Sequence, residues 1–296
     1  MRAQAPGKVV ISGAYAVLEG APALVTAVDR YVIADTGVEA AFEAPEARAA
    51  IPSGPLPHVD ASGLRQGDRK LGLGSSAAIV VASLAAVMLE QQPDMPAAEL
   101  ANRVWPPALS AHRLAQGGGS GIDVVTSALG GTRQCWLSGG TLHSEAHRLP
   151  VGLDVQIFAA RESASTPKML GLVRAWAERE PQHHRDALEA LCEASRRAAR
   201  ALEISTFVHA LADQRMHLTR MGNRSGAPIV PLLLRSIAEE ALEDGVAVHP
   251  SGAGGGDIVL CMGEAEGCER WGSVLEASGF LRLDVRVGAP GVHRVG

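Results

Sequence analysis

The feature that most limits what this chain can fold into is the run Ala-Ala-Ile-Val-Val-Ala-Ser-Leu-Ala-Ala-Val-Met-Leu at 77–89, which is helix-length and apolar on nearly every face. A surface helix hides one stripe, whereas a helix that is hydrophobic all round has to be covered on every side. Segment 77–89 is therefore expected to be a central buried helix, with the rest of the chain supplying layers around it. The composition allows this: 47% of the 296 residues are hydrophobic and 20% charged, a balance that can bury a core and that differs from disordered chains. Only 3% are aromatic, so the core is aliphatic, and nucleic-acid bases would find few rings to stack on. The net charge of −5 also argues against a nucleic-acid partner, whose phosphates require a basic face. A small anionic metabolite needs only a few local cations and stays open.

The opening MRAQAPGKVVISG carries no signal-type apolar stretch with a cleavage site. No run of about 18 apolar residues appears, so no membrane partner is expected and a cytoplasmic location is the default. Cys135, Cys192, Cys261 and Cys268 form no CxxC pair and no zinc-spaced cluster with histidine. They read as reduced, partly buried thiols.

Residues 8–12, 23–28 and 31–36 read as strands. Residues 42–70, rich in Pro, Gly and charge, read as loop with at most one short strand. Helices are expected at 96–104, 110–116 and 123–129, then a strand at 153–160. Helices at 166–178, 186–202, 206–221 and 231–244 follow, and strands at 246–249, 258–262 and 281–287. No internal repeat is visible. The texture changes near residue 150 and predicts two domains, 1–150 and 151–296.

Three glycine-rich segments punctuate this pattern. The first is Leu71-Gly72-Leu73-Gly74-Ser75-Ser76-Ala77, which runs straight into the apolar helix. Glycines let a backbone approach an anion, successive N–H groups can form a nest, and the helix N-terminus favours negative charge. The spacing fits neither GxxxxGK[ST] nor GxGxxG. The plainer alternative is a helix cap made by Ser75 or Ser76. The second segment runs from Gly117 through Ser120 and Gly121 to Asp123. A carboxylate just after a close-approach loop is well placed to take a proton from a hydroxyl, and its plainer alternative is an N-cap aspartate. The third runs from Pro250 through Ser251, Gly252, Gly254, Gly255 and Gly256 to Asp257; a tight hairpin is the alternative. Lys8 opens the first strand in Ala-Pro-Gly-Lys and gains interest if it meets Asp123 in space.

In this order, APGKVVISGAYAVLEG, KLGLGSSAA and HPSGAGGGD resemble the three motifs of the galactokinase, homoserine kinase, mevalonate kinase and phosphomevalonate kinase (GHMP) superfamily. The resemblance implies an α+β fold with an N-terminal domain like ribosomal protein S5 domain 2 and a ferredoxin-like C-terminal α/β sandwich. ATP and acceptor would lie in the cleft between them. APALVTAVDRYV, with Asp29 and Arg30, and AHRLAQG followed by GSGIDV are most similar to the phosphomevalonate kinase branch. That branch implies transfer of a phosphoryl group from ATP to 5-phosphomevalonate, giving 5-diphosphomevalonate in the mevalonate route to isoprenoids, with Mg²⁺.

By the same resemblance Asp123 is the base, Lys8 holds it ionised, and Ser76 is a Mg²⁺ ligand. Residues 72–77 cradle the nucleotide phosphates, Gly254 and Gly255 also bind ATP, and residues 252–256 close over the site. Tyr15, Lys70, Ser120, Gly121, Ser251 and Gly252 lie on the acceptor side, and Arg30, Arg65, Arg69 and Arg133 are further candidate cations. Mevalonate kinases carry a metal-binding glutamate eleven residues before the aspartate; that position is His112 here, so water or Gln116 is expected in its place. The usual Gly-Glu of the first motif is Gly13-Ala14. His183 and His184 read as surface residues in a helix connection. A homodimer is the oligomeric state the resemblance suggests. Mevalonate, or another hydroxylated metabolite, is the alternative acceptor. A related decarboxylase is disfavoured by Lys8, and a non-catalytic nucleotide-binding regulator is disfavoured by Lys8 together with Asp123.

Overall fold

The computed structural model describes residues 1–40, 43–67, 69–160, 166–255 and 257–296. Its first layer is a six-stranded sheet. Strand β1 (Arg2–Ser12) pairs antiparallel with β2 (Ala23–Glu39), placing Lys8 opposite Ala27 and Val10 opposite Val25. Residues 23–39 form one long strand where the sequence suggested two. The pairing with β1 shifts register at Pro6/Gly7, so the Asp29–Arg30 interruption is absorbed as an irregularity in one strand rather than a turn.

The segment 42–70 holds more structure than its composition suggests: helix α1 (Pro45–Ala50), strand β3 (Pro57–Asp60) beside β2, and a small hairpin of β4 (Arg65–Gln66) and β5 (Arg69–Lys70). Pro45 stands at the start of α1, where its missing N–H costs nothing. Six residues are too short to show periodicity, which hides this helix in the sequence.

Helix α2 (Ser75–Gln91) is the buried centre. Val80, Val81, Ala85, Ala86 and Leu89 have no exposed surface, and the helix packs against β1, β2 and helices on its other sides. Each fully buried Val or Leu contributes about 1.5–3 kcal/mol. Helix α3 (Ala97–Gln116) runs unbroken through Pro106 and Pro107, against the expectation of two pieces. The prolines remove N–H donors, but a stripe from Leu100 and Val104 to Ala108 and His112 is buried along the helix and outweighs that loss. Helix α4 (Ile122–Leu129) follows, and then the hairpin β6 (Thr132–Ser138) and β7 (Thr141–Ala146) completes the sheet edge. Neither strand stands out from the sequence.

Beyond this lie β8 (Asp154–Ala159), α5 (Thr166–Arg179), α6 (Pro181–Arg200), α7 (Ile204–Ser225) and α8 (Leu232–Glu243). Strands β9 (Ala247–Pro250) and β10 (Ile258–Gly263), helix α9 (Ala265–Ala277) and β11 (Leu281–Leu283) complete a four-stranded sheet, ordered β11-β8-β10-β9, and its cover. The chain then returns to the first sheet, where β12 (His293–Arg294) pairs with β1. Arg286 N–H donates to Asp29 Oδ1 at 2.6 Å on the way back. All four cysteines are free and buried. His183 and His184 lie inside α6 rather than in a connection: His183 Nδ1 is 3.1 Å from Glu180 Oε2, and His184 packs edge-on against Trp176. Among the described residues no helix is long and apolar enough to cross a membrane.

Candidate active site

Lys8 and the loop before α2 are built together. The Lys8 backbone N–H donates to Leu73 O at 2.8 Å, which fastens the loop along β1. Gly74 then turns the chain into α2 with φ 77° and ψ 35°, the left-handed region that suits glycine. A Cβ at Gly74 would lie 2.8 Å from Lys8 Cε, so the glycine also makes the channel in which the Lys8 side chain runs. Burial lowers the Lys8 pKa, and the Asp123 carboxylate opposes that fall.

Neither Ser75 nor Ser76 caps α2; the N-cap is Gly74, and no side chain takes the first-turn donors. The N–H groups of the first turn have no intrahelical acceptor, so those of Ser75, Ser76 and Ala77 form an electropositive rim. Ser76 Oγ lies 3.0 Å from Glu46 Oε1 and 3.1 Å from Gln116 Nε2. Gln116 thus donates to the Ser76 hydroxyl. Glu46 is a residue the sequence reading missed, because it belongs to α1 inside the supposed loop. Ser76 Oγ thus sits between a carboxylate and a side-chain amide beside the start of α2.

Asp123 is not an N-cap either. Gly121 holds that position with φ 80°, and a Cβ there would fall 2.0 Å from Leu109 Cδ1, so the loop closes on α3 only with glycine. Asp123 sits in the first turn of α4, where Oδ1 accepts the Val124 N–H at 2.9 Å. Its Oδ2 lies 3.8 Å from Nε2 of the buried His112. Arg113 binds the carbonyls of Gly119 and Ser120 at 3.3 and 3.1 Å, which fixes the path of the loop. Ser127 Oγ donates to Pro6 O at 2.7 Å and ties α4 to β1 just before Lys8.

The third glycine segment is anchored to the first strand. Ser251 Oγ accepts the Val10 N–H at 2.9 Å, and Tyr15 OH donates to Ala253 O at 2.8 Å. Tyr15 holds a positive φ of 65°, and burial raises its phenol pKa to about 12. Both hydroxyls, expected on the acceptor side, are engaged in tethering the loop. Gly254 packs on Ile229, and Gly255 N–H donates to Ile229 O at 2.9 Å, so that donor is spent inside the fold rather than offered to a nucleotide. Gly252 opens the turn with φ 68°, and Gly256 lies outside the described residues. Gly72 approaches Ile258 and Asp257, so the first glycine loop touches the far end of the third glycine segment. Gln214 of α7, missed by sequence reasoning, binds the first motif: its Oε1 accepts the Gly13 N–H at 2.9 Å.

The candidate cations scatter. Lys70 is exposed on β5, opposite Arg65 and just before the first glycine loop. Arg69 binds the carbonyl of Ala160. Arg133 Nε donates to Ser144 Oγ at 3.0 Å on the sheet edge, and Arg30 reaches toward Asp284 O.

The uncapped start of α2 thus lies beside Lys8, whose pKa the Asp123 carboxylate influences. Residues 50–131 match the GHMP kinases N terminal domain. The chain is 26% identical to the phosphomevalonate kinase of Streptomyces sp. (strain CL190) over 386 aligned positions, covering 97% of each chain. Among solved structures it resembles a Lin0012 protein from Listeria innocua, with TM-score 0.84, 21% identity and full coverage of both chains. It also resembles Streptococcus pneumoniae phosphomevalonate kinase in complex with phosphomevalonate and AMPPNP, with TM-score 0.78, 16% identity and coverage of 97% and 99%. The chain carries a GHMP kinase N-terminal domain and has the α+β GHMP kinase fold.

Proposed function

We propose that this protein transfers the γ-phosphoryl group of ATP to 5-phosphomevalonate, giving 5-diphosphomevalonate and ADP. The observation that carries the reading is the joining of Lys8, Gly74 and Asp123 around the uncapped start of α2. The near full-length similarity to a Streptomyces phosphomevalonate kinase supports the choice of acceptor. Residues 1–150 form the nucleotide-binding domain and 151–296 the second domain, with the C-terminal strand β12 returning to the first sheet.

The N–H groups of residues 75–77 bind the nucleotide phosphates, and the α2 dipole favours their charge. Lys8 offsets the charge on the acceptor oxygen and on the phosphoryl group in flight. Asp123 takes the proton of the acceptor oxygen where it carries one, and keeps Lys8 charged despite its burial. Ser76 and Gln116 would hold Mg²⁺, which would supply neutralisation of the nucleotide's phosphate charge. Lys70, Ser120, Gly121 and Gly252 face the acceptor, while Tyr15 and Ser251 keep the glycine segment seated.

The test is ADP release with Mg²⁺-ATP and either phosphomevalonate or mevalonate, with products identified by mass. Turnover confined to phosphomevalonate supports the assignment. Turnover confined to mevalonate overturns the acceptor and keeps the chemistry. Release of CO₂ overturns the kinase reading.

A further inference from the structure

Glu46 lies on α1, and its carboxylate meets the hydroxyl of Ser76 at 3.0 Å. Ser76 is in the first turn of α2, beside the uncapped donors. No Lys or Arg pairs with Glu46 within 4.0 Å among the described residues. The cation on its own helix, Arg48, is committed elsewhere, to Glu43 and to the carbonyls of Ile51 and Gly54. A half-buried negative charge therefore faces the place where a polyphosphate would sit. Like charges there repel unless a cation lies between them. On the opposite wall His112 turns to Asp123 at 3.8 Å, while Gln116, one turn further along α3, reaches Ser76 at 3.1 Å. Helix α3 thus offers the metal a neutral amide and no carboxylate. Mg²⁺ bound to nucleotide characteristically takes one or two protein carboxylates besides phosphate oxygens and water.

We infer that Glu46 supplies the carboxylate that binds Mg²⁺ of the incoming Mg²⁺-nucleotide, completing with Ser76 and Gln116 a donor set drawn from three helices. This rests on the ATP-dependent reading above. It makes α1, from a segment that looks like a connecting loop, part of the metal site, and it gives Glu46 opposite effects with and without metal. With Mg²⁺ it strengthens nucleotide binding; without metal it repels the phosphates.

The experiment is ATP binding to the full-length protein by calorimetry, once with excess Mg²⁺ and once with EDTA, for wild type and Glu46→Gln. Glutamine keeps an oxygen for Ser76 and removes only the charge. The expected result is an affinity gain from Mg²⁺ that is smaller in the variant by at least about tenfold, with metal-free ATP bound as well as or better than by wild type. A gain equal to that of wild type would overturn the inference and leave Glu46 as a hydrogen-bond partner of Ser76. Wild type that binds ATP with no dependence on Mg²⁺ would overturn this inference and the metal in the proposed function together; wild type that binds no ATP would sink the kinase reading as well. Glu46→Asp, which restores the charge on a shorter arm, is expected to recover part of the Mg²⁺ gain; recovery no greater than with glutamine counts against a role for the charge. Matching thermal melts of all three proteins exclude a folding defect.

Discussion

Gly74→Ala separates the cost of folding from the cost of misplacing Lys8. The residue sits at φ 77°, where an alanine costs about 1–2 kcal/mol. Its new Cβ would stand 2.8 Å from Lys8 Cε and 3.1 Å from Lys8 Cγ. An ordinary carbon contact is about 3.5–4.0 Å, so the lysine must move by roughly 1 Å. Those atoms belong to a flexible side chain, so the lysine swings aside cheaply and the backbone stays. Stability should therefore fall by only the backbone cost, seen as a drop in Tm of a few degrees. Turnover should fall much further, by about 100-fold, because a displacement of that size is enough to spoil a transfer geometry. The assay is steady-state ADP release for wild type, Gly74→Ala, Lys8→Ala and the double variant. Once Lys8 is gone its displacement no longer matters, so Gly74→Ala in the Lys8→Ala background should cost less than about threefold more, the non-additivity of groups acting as a unit. Two full, multiplicative losses would refute the claim that Gly74 acts on turnover through Lys8.

The Lys8 pKa is lowered by burial, so the charge that aids transfer is lost on the alkaline side below the ordinary lysine value of 10.5. The alkaline limb of kcat/KM should therefore lie below that value and move upward in Lys8→Arg, as a pH profile of both enzymes would record. His249 behaves differently: burial, with Arg215 adding to it, lowers its pKa from 6.5 to about 3. Between those values the unfolded chain takes up a proton that the folded chain does not, so stability falls as pH falls through the window. Urea unfolding at pH 6.5 and 4.5 should show wild type losing about 2–3 kcal/mol more than His249→Gln; equal losses would contradict this. Gly121→Ala should be a folding variant, because its Cβ would fall 2.0 Å from Leu109 Cδ1 at φ 80°. Its Tm should drop by more than that of Gly74→Ala, and relief by a shortened Leu109→Ala partner would confirm the clash.

Much of this fold is legible in the sequence because its strongest signals are long. The all-round apolar run became α2, and the helical periodicity past residue 150 became α5 to α8 within a few residues of the expected ends. What escaped was short or overridden by packing. Helix α1 has one turn and a half to declare itself, and β6 and β7 pair with neighbours that lie far away in sequence or across a two-residue turn. Pro106 and Pro107 argued for a break that the buried stripe of α3 overrules. Lys8 and Asp123 stand out in the sequence because glycines mark the close approaches around them. Glu46 does not, since a single carboxylate in a Pro- and Gly-rich stretch carries no pattern, and only the pairing of α1 with the start of α2 brings it to Ser76. Tyr15 and Ser251 were expected on the acceptor side, but the sequence cannot show that the main chain claims their hydroxyls.

In the proposed reaction Asp123 acts in phosphoryl transfer rather than in nucleotide binding. Asp123→Asn tests this most directly, with ADP release and calorimetric Mg²⁺-ATP binding measured on the same preparation. Turnover should be lower by about 100-fold or more, with ATP affinity within a few fold of wild type. Turnover close to wild type, or an equal loss of nucleotide binding, would contradict it.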